Sequence, residues 1–579
     1  MMQRSRPKRR IAMEGDRGTE MQSLEADASP TILNYHERTK HHYFHFAASL
    51  GYLDWDTQPN PFRRYEDAPL IRLTLPGEDR TPRYEAMFQP RVVQSRTPSL
   101  ASLSEFFYYS LALSAWKQFG SSRWFLRVNP SSGNLHPTEG YLAIYSLDGL
   151  HPKPAIYHYA PHEHGLEMRT ELTEDTWSNL TSGLPSGAFL IGLSSIHWRE
   201  SWKYGERAYR YCQHDSGHAL AALRIAAALL GWKLYVLDHA CDEQIAILFG
   251  LDRAEEFIRG EEEVPDLLAV VFPDADIPDH EIFDLSLPDE AVRAVAQGRW
   301  IGKANRLSSD HYDWEIIDIV TQACRKEKWK TFPPVNTTQT DTPVSDLAGR
   351  QQLSAGQIIR QRRSALAMDG LTNISKEVFY AMMTRVLPDR HFIPWDSFGW
   401  PNFVHLGLFV HRVAGLEPGL YMLVRDARRL EWLKLQMHPS FLWRKPPDAP
   451  GYLPLYFLKE GDVRRLASQV SCTQEIAGDG TFSLGMLAEF KPTLSEYGAH
   501  FYRNLFWETG MIGQVLYLEA EAFGIRSTGI GCFFDDPVHE VFGIQGQELQ
   551  SLYHFTVGAP TQDDRLMTLP PYLHLGGNT

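Results

Sequence analysis

Apolar residues run almost without a break from Ala219 to Leu230 and stop at Gly231. A run of that length exceeds a typical strand and predicts a buried helix stopped by a glycine C-cap. A second such stretch stops in the same way at Gly524. By contrast, Tyr141–Tyr145 and Leu406–Val410 are short apolar runs bounded by turn formers, the pattern of buried strands. Both halves of the chain therefore mix helix and sheet, which predicts an α+β class.

The pattern also repeats. The segment from Tyr209-Arg210 through Gly217 and Gly231 to Phe249-Gly250 recurs without gaps as Tyr502-Arg503 through Gly510 and Gly524 to Phe542-Gly543, at a constant offset of 293 residues. Upstream, Pro137, Tyr145, Pro154 and Tyr157 match Pro401, Phe409, Pro418 and Tyr421 at an offset of 264, so the second half carries about 29 extra residues between the two blocks. The period is far longer than that of a solenoid repeat, so each unit is a domain. Residues 326–350 are rich in Lys, Thr, Pro and Asp and have linker composition. Residues 1–30 are basic at the start and lack the apolar run of a secretory signal, which predicts a disordered tail. The expected domains are 31–325 and 351–579.

Composition narrows the function classes. Of 579 residues 43% are hydrophobic and 22% charged, as in globular proteins. The net charge of -14 disfavours a nucleic-acid surface. The five cysteines are scattered without a CxxC pair, which predicts a reducing compartment, no disulfides and no metal. No stretch approaches the ~20 apolar residues of a membrane helix, so no membrane partner and a cytoplasmic address are expected.

Three local patterns carry candidate chemistry. In the first half, Pro130, Ser131, Ser132, Gly133 and Asn134 form a tight turn ahead of a strand. The glycine permits close backbone approach, and Ser131, Ser132 and Asn134 offer hydrogen bonds to the edge of a flat heteroaromatic; the same residues also suit an ordinary turn or helix cap. In the second half, Arg362, Arg363 and Ser364 put two guanidiniums beside a hydroxyl, which suits a phosphate monoester and equally a solvated charge run. Third, Gly529, Ile530 and Gly531 lie in a glycine-rich stretch after the second buried helix, where backbone N–H groups can face a ligand. The absence of HExxH, a Walker loop and a GxGxxG opening a βαβ unit disfavours zinc hydrolysis, nucleotide hydrolysis and a dedicated Rossmann domain.

In this order and spacing the motifs resemble the FMN-dependent nitroreductase-like superfamily, and within it the SagB/ThcOx-type dehydrogenases, the azoline-oxidase branch. The resemblance extends from about Tyr35 to Tyr572. It is carried also by Thr39-Lys40-His41, Leu53-Asp54-Trp55, Lys203-Tyr204-Gly205-Glu206-Arg207, Gly510 with Gln514, Cys532-Phe-Phe-Asp-Asp536, and Val557-Gly558 with Arg565. It implies two tandem nitroreductase-like domains forming a pseudo-dimer within one chain, with FMN at their interface. It implies further that Arg362, Arg363, Ser364, Gly529, Ile530, Gly531 and Arg565 of the second half complete one flavin site with Pro130, Ser131, Ser132, Gly133 and Asn134 of the first. The complementary site is expected to be lost. There residues 394–401 read Pro-Trp-Asp-Ser-Phe-Gly-Trp-Pro, and Val236-Leu237-Asp238 stand where the second half has Gly529-Ile530-Gly531.

Lys203 and Tyr204 resemble the Lys-Tyr pair with which azoline oxidases move a proton; the second half has Glu496 and Tyr497 instead. A basic residue that the family often carries two positions after the serine is here Leu366, and Arg526 is a candidate substitute. The implied activity is hydride transfer between flavin N5 and a small-molecule or peptide substrate, with NAD(P)H as a candidate donor. A flavin-processing protein and a non-catalytic scaffold stay open as alternatives. Because the pseudo-dimer needs no second chain, a monomer could suffice.

Overall fold

The computed structural model describes residues 28–89, 92–273, 285–327, 352–389 and 392–576. The expected basic tail up to residue 27 and the expected linker from residue 328 to residue 350 lie outside the described residues. Helix Ser29–Arg38 already begins within the span expected as tail, with Pro30 in its first turn, where no helical partner exists for the N–H that proline lacks. No helix among the described residues is long and apolar enough to cross a membrane.

Numbered in chain order, with the two-residue strands of two small ribbons left out, the strands of the first half are β1 (Leu70–Arg72), β2 (Leu113–Phe119), β3 (Ser122–Arg127), β4 (Thr138–Ile144), β5 (Ala155–Ala160), β6 (Gly165–Glu171), β7 (Phe189–Ser195), β8 (Trp232–Val236) and β9 (Val264–Pro273). Those of the second half are β10 (Val404–Val410), β11 (Gly419–Leu423), β12 (Leu455–Glu460), β13 (Phe482–Glu489), β14 (Arg526–Ile530), β15 (Leu549–Gly558) and β16 (Met567–Leu569). One sheet runs β1-β6-β5-β4-β7-β9-β8 and the other β12-β11-β10-β13-β15-β14. Strand for strand the second repeats the first, apart from the edge strand β1. The chain is thus an α+β protein of two tandem units.

One detail of the internal match differs from the sequence expectation. In the ladders Tyr141 faces Gly192 and Gly407 faces Gly485. The upstream strands therefore correspond two residues further along than the spacing of Pro137 and Pro401 predicts. A slip of two leaves every side chain on its own face of the sheet, so the apolar pattern is blind to it.

The two long helices, α1 (Ala208–Leu229) and α2 (Phe501–Ala522), keep the 293-residue offset at both ends. Helix α1 starts well ahead of its apolar run because Arg210, His214, Asp215 and His218 are buried as well. The helices cross at their glycines. A Cβ on Gly217 would lie 2.3 Å from Trp507 O, and one on Gly510 would lie 2.2 Å from His214 O. His214 and Trp507 are related by the same offset, so the contact is reciprocal, as in an isologous dimer interface. The pseudo-dimer lies within one chain.

Each half also completes the other. Strand β16 pairs with β2, extending the β2–β3 hairpin of the first half. Helix Ala355–Gln361 of the second half docks on the first through Gly356 N, which donates to Thr81 Oγ1 at 2.7 Å. Tyr572 OH donates to Pro161 O at 3.0 Å.

Candidate functional site

A cavity of about 1220 Å³ opens between the halves. Its lining brings Pro130 to Asn134 and Tyr204 of the first half together with Arg362 to Ser364, Gly529 to Gly531 and Arg565 of the second. Lys203 is outside this lining but adjoins it. A Cβ built on Gly133 would stand 3.1 Å from Lys203 Nζ and 2.6 Å from Tyr204 OH.

The turn before β4 is held by its own side chains. Gly133, Asn134 and His136 have φ of 59°, 62° and 53°, a left-handed stretch that non-glycine residues adopt only when locally supported. Ser131 Oγ accepts from His136 N at 2.7 Å, and Asn134 Nδ2 donates to Phe125 O at 2.9 Å. Ser132 donates from N and from Oγ to Asp215 Oδ1, at 3.1 and 3.2 Å. The three side chains expected to face a ligand are thus engaged within the turn or with α1.

Asp215 is the polar anchor beneath. Burial pushes its carboxyl up to about 7, against the hydrogen bonds from Ser131 and Ser132 that pull it down. Glu200 beside it is held well above the usual carboxylate range by burial and then by Asp215. Burial also pushes the Tyr204 phenol well up, followed by the charge of Glu200, so Tyr204 keeps its proton near neutral pH.

The second half contributes a cluster of cations, Arg362, Arg363 and Arg526, of which Arg526 has Glu521 at 3.7 Å. Arg362 is buried; its Nη2 donates to Arg127 O at 3.0 Å and Val128 O at 3.1 Å, while its Nε has no partner among the described residues. Burial, and then Arg362 and Arg360, push the Arg363 guanidinium down to about 9. Lys117 of β2, which also lines the cavity, is lowered by burial and then by Arg363 and Arg526. Such crowding is relieved by a bound anion, so the set fits a phosphate. Ser364 Oγ is 2.9 Å from Tyr517 OH. Arg565 sits at the rim, 75% exposed and ion-paired with Asp563 at 2.9 Å. Leu366 and Arg526 both reach the lining.

The two glycines at the end of β14 and just after it line the cavity and also leave space for neighbouring side chains. A Cβ on Gly529 would stand 1.9 Å from Tyr553 OH, and one on Gly531 2.2 Å from the Tyr211 ring. Their missing side chains make room for two tyrosines that themselves line the cavity.

The Nitroreductase family profile matches residues 442–559. A nitroreductase candidate of known structure from Anabaena variabilis superimposes with a TM-score of 0.64 at 22% identity, covering 92% of this chain and 99% of that one. The chain has the nitroreductase fold. Partial likenesses include a nitroreductase candidate from Exiguobacterium sibiricum in complex with FMN, with a TM-score of 0.21 at 13% identity, covering 36% of this chain and 88% of that one. Another is the E. coli microcin synthetase McbBCD complex with truncated pro-MccB17 bound, with a TM-score of 0.25 at 16% identity, covering 43% and 94%. No curated protein matches the chain.

The two copies of the nitroreductase fold differ at their interface. On one side the Pro130–Asn134 turn and β14 flank the cavity. On the other, the corresponding segments meet directly: Val236 N donates to Ser397 O at 2.8 Å. Trp395, Phe398 and Trp400 are buried there, and Arg224 pairs with Asp396 at 2.6 Å. Glu508, at the position of Asp215, accepts from Phe403 N at 2.8 Å and is ion-paired with Arg425.

Sequence reasoning missed Lys117, Asp215 and Tyr517. A carboxylate at both 215 and 508 inside a buried helix was a readable signal, since an unpaired acid there is costly. Lys117 gave none, being one polar residue in a hairpin.

Proposed function

We propose that the chain is an FMN-dependent oxidoreductase moving a hydride between the flavin and a small or peptidic substrate, in the manner of azoline dehydrogenases. The observation that carries this reading is one cavity between the halves in which Arg362, Arg363, Arg526 and Lys117 gather beside Ser364, with Tyr204 on the same lining. Arg362, Arg363 and Ser364 would hold the phosphate, and the Pro130–Asn134 turn with Tyr211 and Tyr553 would bound the ring. Bound FMN supplies the hydride acceptor or donor. On the protein's side Tyr204 and Lys203, whose Nζ is 5.2 Å from the Tyr204 ring centroid, would move the substrate proton, with Tyr204 as the relay. NAD(P)H is the candidate donor for the reverse direction.

The test is flavin released on denaturation, counted per chain. One FMN per chain is expected, since on one side of the pseudo-axis the turn and the glycine strand flank a cavity, whereas among the described residues of the other side Val236 and Ser397 are hydrogen-bonded directly. Two would contradict that asymmetry, and none after reconstitution with excess FMN would favour a scaffold.

A further inference from the structure

His41, Cys472 and Cys532 come from three segments far apart in the chain: the loop after helix Ser29–Arg38, the turn after helix Arg464–Val470, and the loop after β14. One donor atom of each lies within 4.8 Å of the other two. The distance from His41 Nδ1 to Cys532 Sγ is 3.6 Å. Two donors on one tetrahedral zinc ion stand roughly 3.5–3.8 Å apart, given its bond lengths to sulfur and nitrogen.

The segments are tied to each other by a second layer of bonds. The Gln474 amide donates to Ser471 O and to Cys532 O, both at 3.0 Å, and Phe534 N donates to Val470 O at 2.8 Å. Asp535 accepts from His41 N at 2.9 Å, so the histidine segment is fastened to the Cys532 loop. Cys472 and Thr473 have φ of 52° and 58°, a conformation that costs non-glycine residues energy and persists because these contacts impose it. Outer bonds of this kind are what hold first-layer ligands in place at metal sites.

We propose that His41, Cys472 and Cys532 form a binding site for a thiophilic divalent cation, zinc being the matched one, with the fourth coordination position left to water or a substrate atom. Two thiolates and one imidazole neutralise a dication, and soft sulfur donors select against magnesium and calcium. Nearby, Arg207 and Arg210 share the single carboxylate of Asp535, at 2.9 and 2.8 Å. Three protein donors are the ligand count of open rather than closed zinc sites. Cys532 and Gln474 also line the cavity between the halves, which puts the open position within reach of a cavity occupant. The inference does not depend on the flavin reading.

Full-length protein is stripped with chelator under reducing, anaerobic conditions and titrated with cobalt(II), then with zinc(II). We expect one equivalent of cobalt per chain, a thiolate-to-cobalt band, and tetrahedral d–d absorption at wavelengths beyond the flavin bands, all displaced by zinc. His41→Ala, Cys472→Ser and Cys532→Ser should each weaken binding at least about tenfold. His45→Ala, altering a nearby histidine outside the triad, should not. Zinc should also slow alkylation of Cys472 and Cys532 in the unaltered chain, a readout that needs no variant to fold. Unchanged alkylation at saturating zinc would overturn the proposal. So would a Cys472–Cys532 disulfide in protein prepared anaerobically, or cobalt binding that survives all three substitutions.

Discussion

Replacing Asp215 by Asn tests the electrostatics beneath the turn. The carboxyl is buried and accepts from Ser132 N at 3.1 Å, and burial raises its pKa to about 7. In the unfolded chain the same group titrates near 3.9. Between those values the folded protein holds a proton that the unfolded chain has released, so stability falls as pH rises from about 4 to about 7 and is level above. The rise corresponds to about 4 kcal/mol, an upper figure because the Asp215 charge also acts on the buried Glu200. Asn keeps an acceptor for Ser132 N and removes the charge. At pH 5 the variant should already be the more stable by about 1.5 kcal/mol, and at pH 8 by several kcal/mol. Melting curves taken from pH 5 to pH 8 on flavin-free protein measure this, with Glu200→Gln as companion. Parallel pH profiles for the two proteins would refute the reasoning, since the buried charge would then cost nothing.

Three further outcomes are expected. Arg362→Ala should weaken FMN binding by about 1.5–3 kcal/mol, roughly ten- to a hundredfold, through loss of a charge-assisted contact; equilibrium dialysis measures it, and Lys40→Ala, whose ammonium pairs with Asp536 at 2.8 Å, should leave occupancy unchanged. Lys203→Ala should retain flavin yet slow its reduction by a dehydrogenation substrate by ~10²–10⁴-fold, with NAD(P)H-driven reduction largely spared; stopped-flow absorbance at matched occupancy separates the two, and equal rates with every donor would remove Lys203 from the proton path. Gly510→Ala sets a methyl 2.2 Å from His214 O, where helix backbone must shift, so stability should drop by about 1–3 kcal/mol and flavin retention with it; an unchanged melting temperature would mean that the helices do not cross there.

The sequence alone determined whatever depends on local periodicity and backbone demand. The duplication was legible because α1 and α2 must present the same faces, and Gly250 and Gly543 both end helices in left-handed conformations, with φ of 70°. The Pro130–Asn134 turn and the Arg362–Ser364 triplet were legible as motifs, and the asymmetry between the two sides of the interface as substitutions within the twin segments. Tertiary structure decided the rest. That Gly529 and Gly531 yield to Tyr553 and Tyr211, that Lys117 joins the cations, and that β16 crosses to the other half are facts about which distant residues meet. The same holds for His41, Cys472 and Cys532, whose spacing has no motif. Hydrophobic pattern tells each residue which face it occupies, with a period of 2 or 3.6. It does not tell which residue of another element lies opposite, because a strand slipped by two residues, as between β4 and β10, buries the same face, and a helix crossing is set by where two glycines let backbones touch.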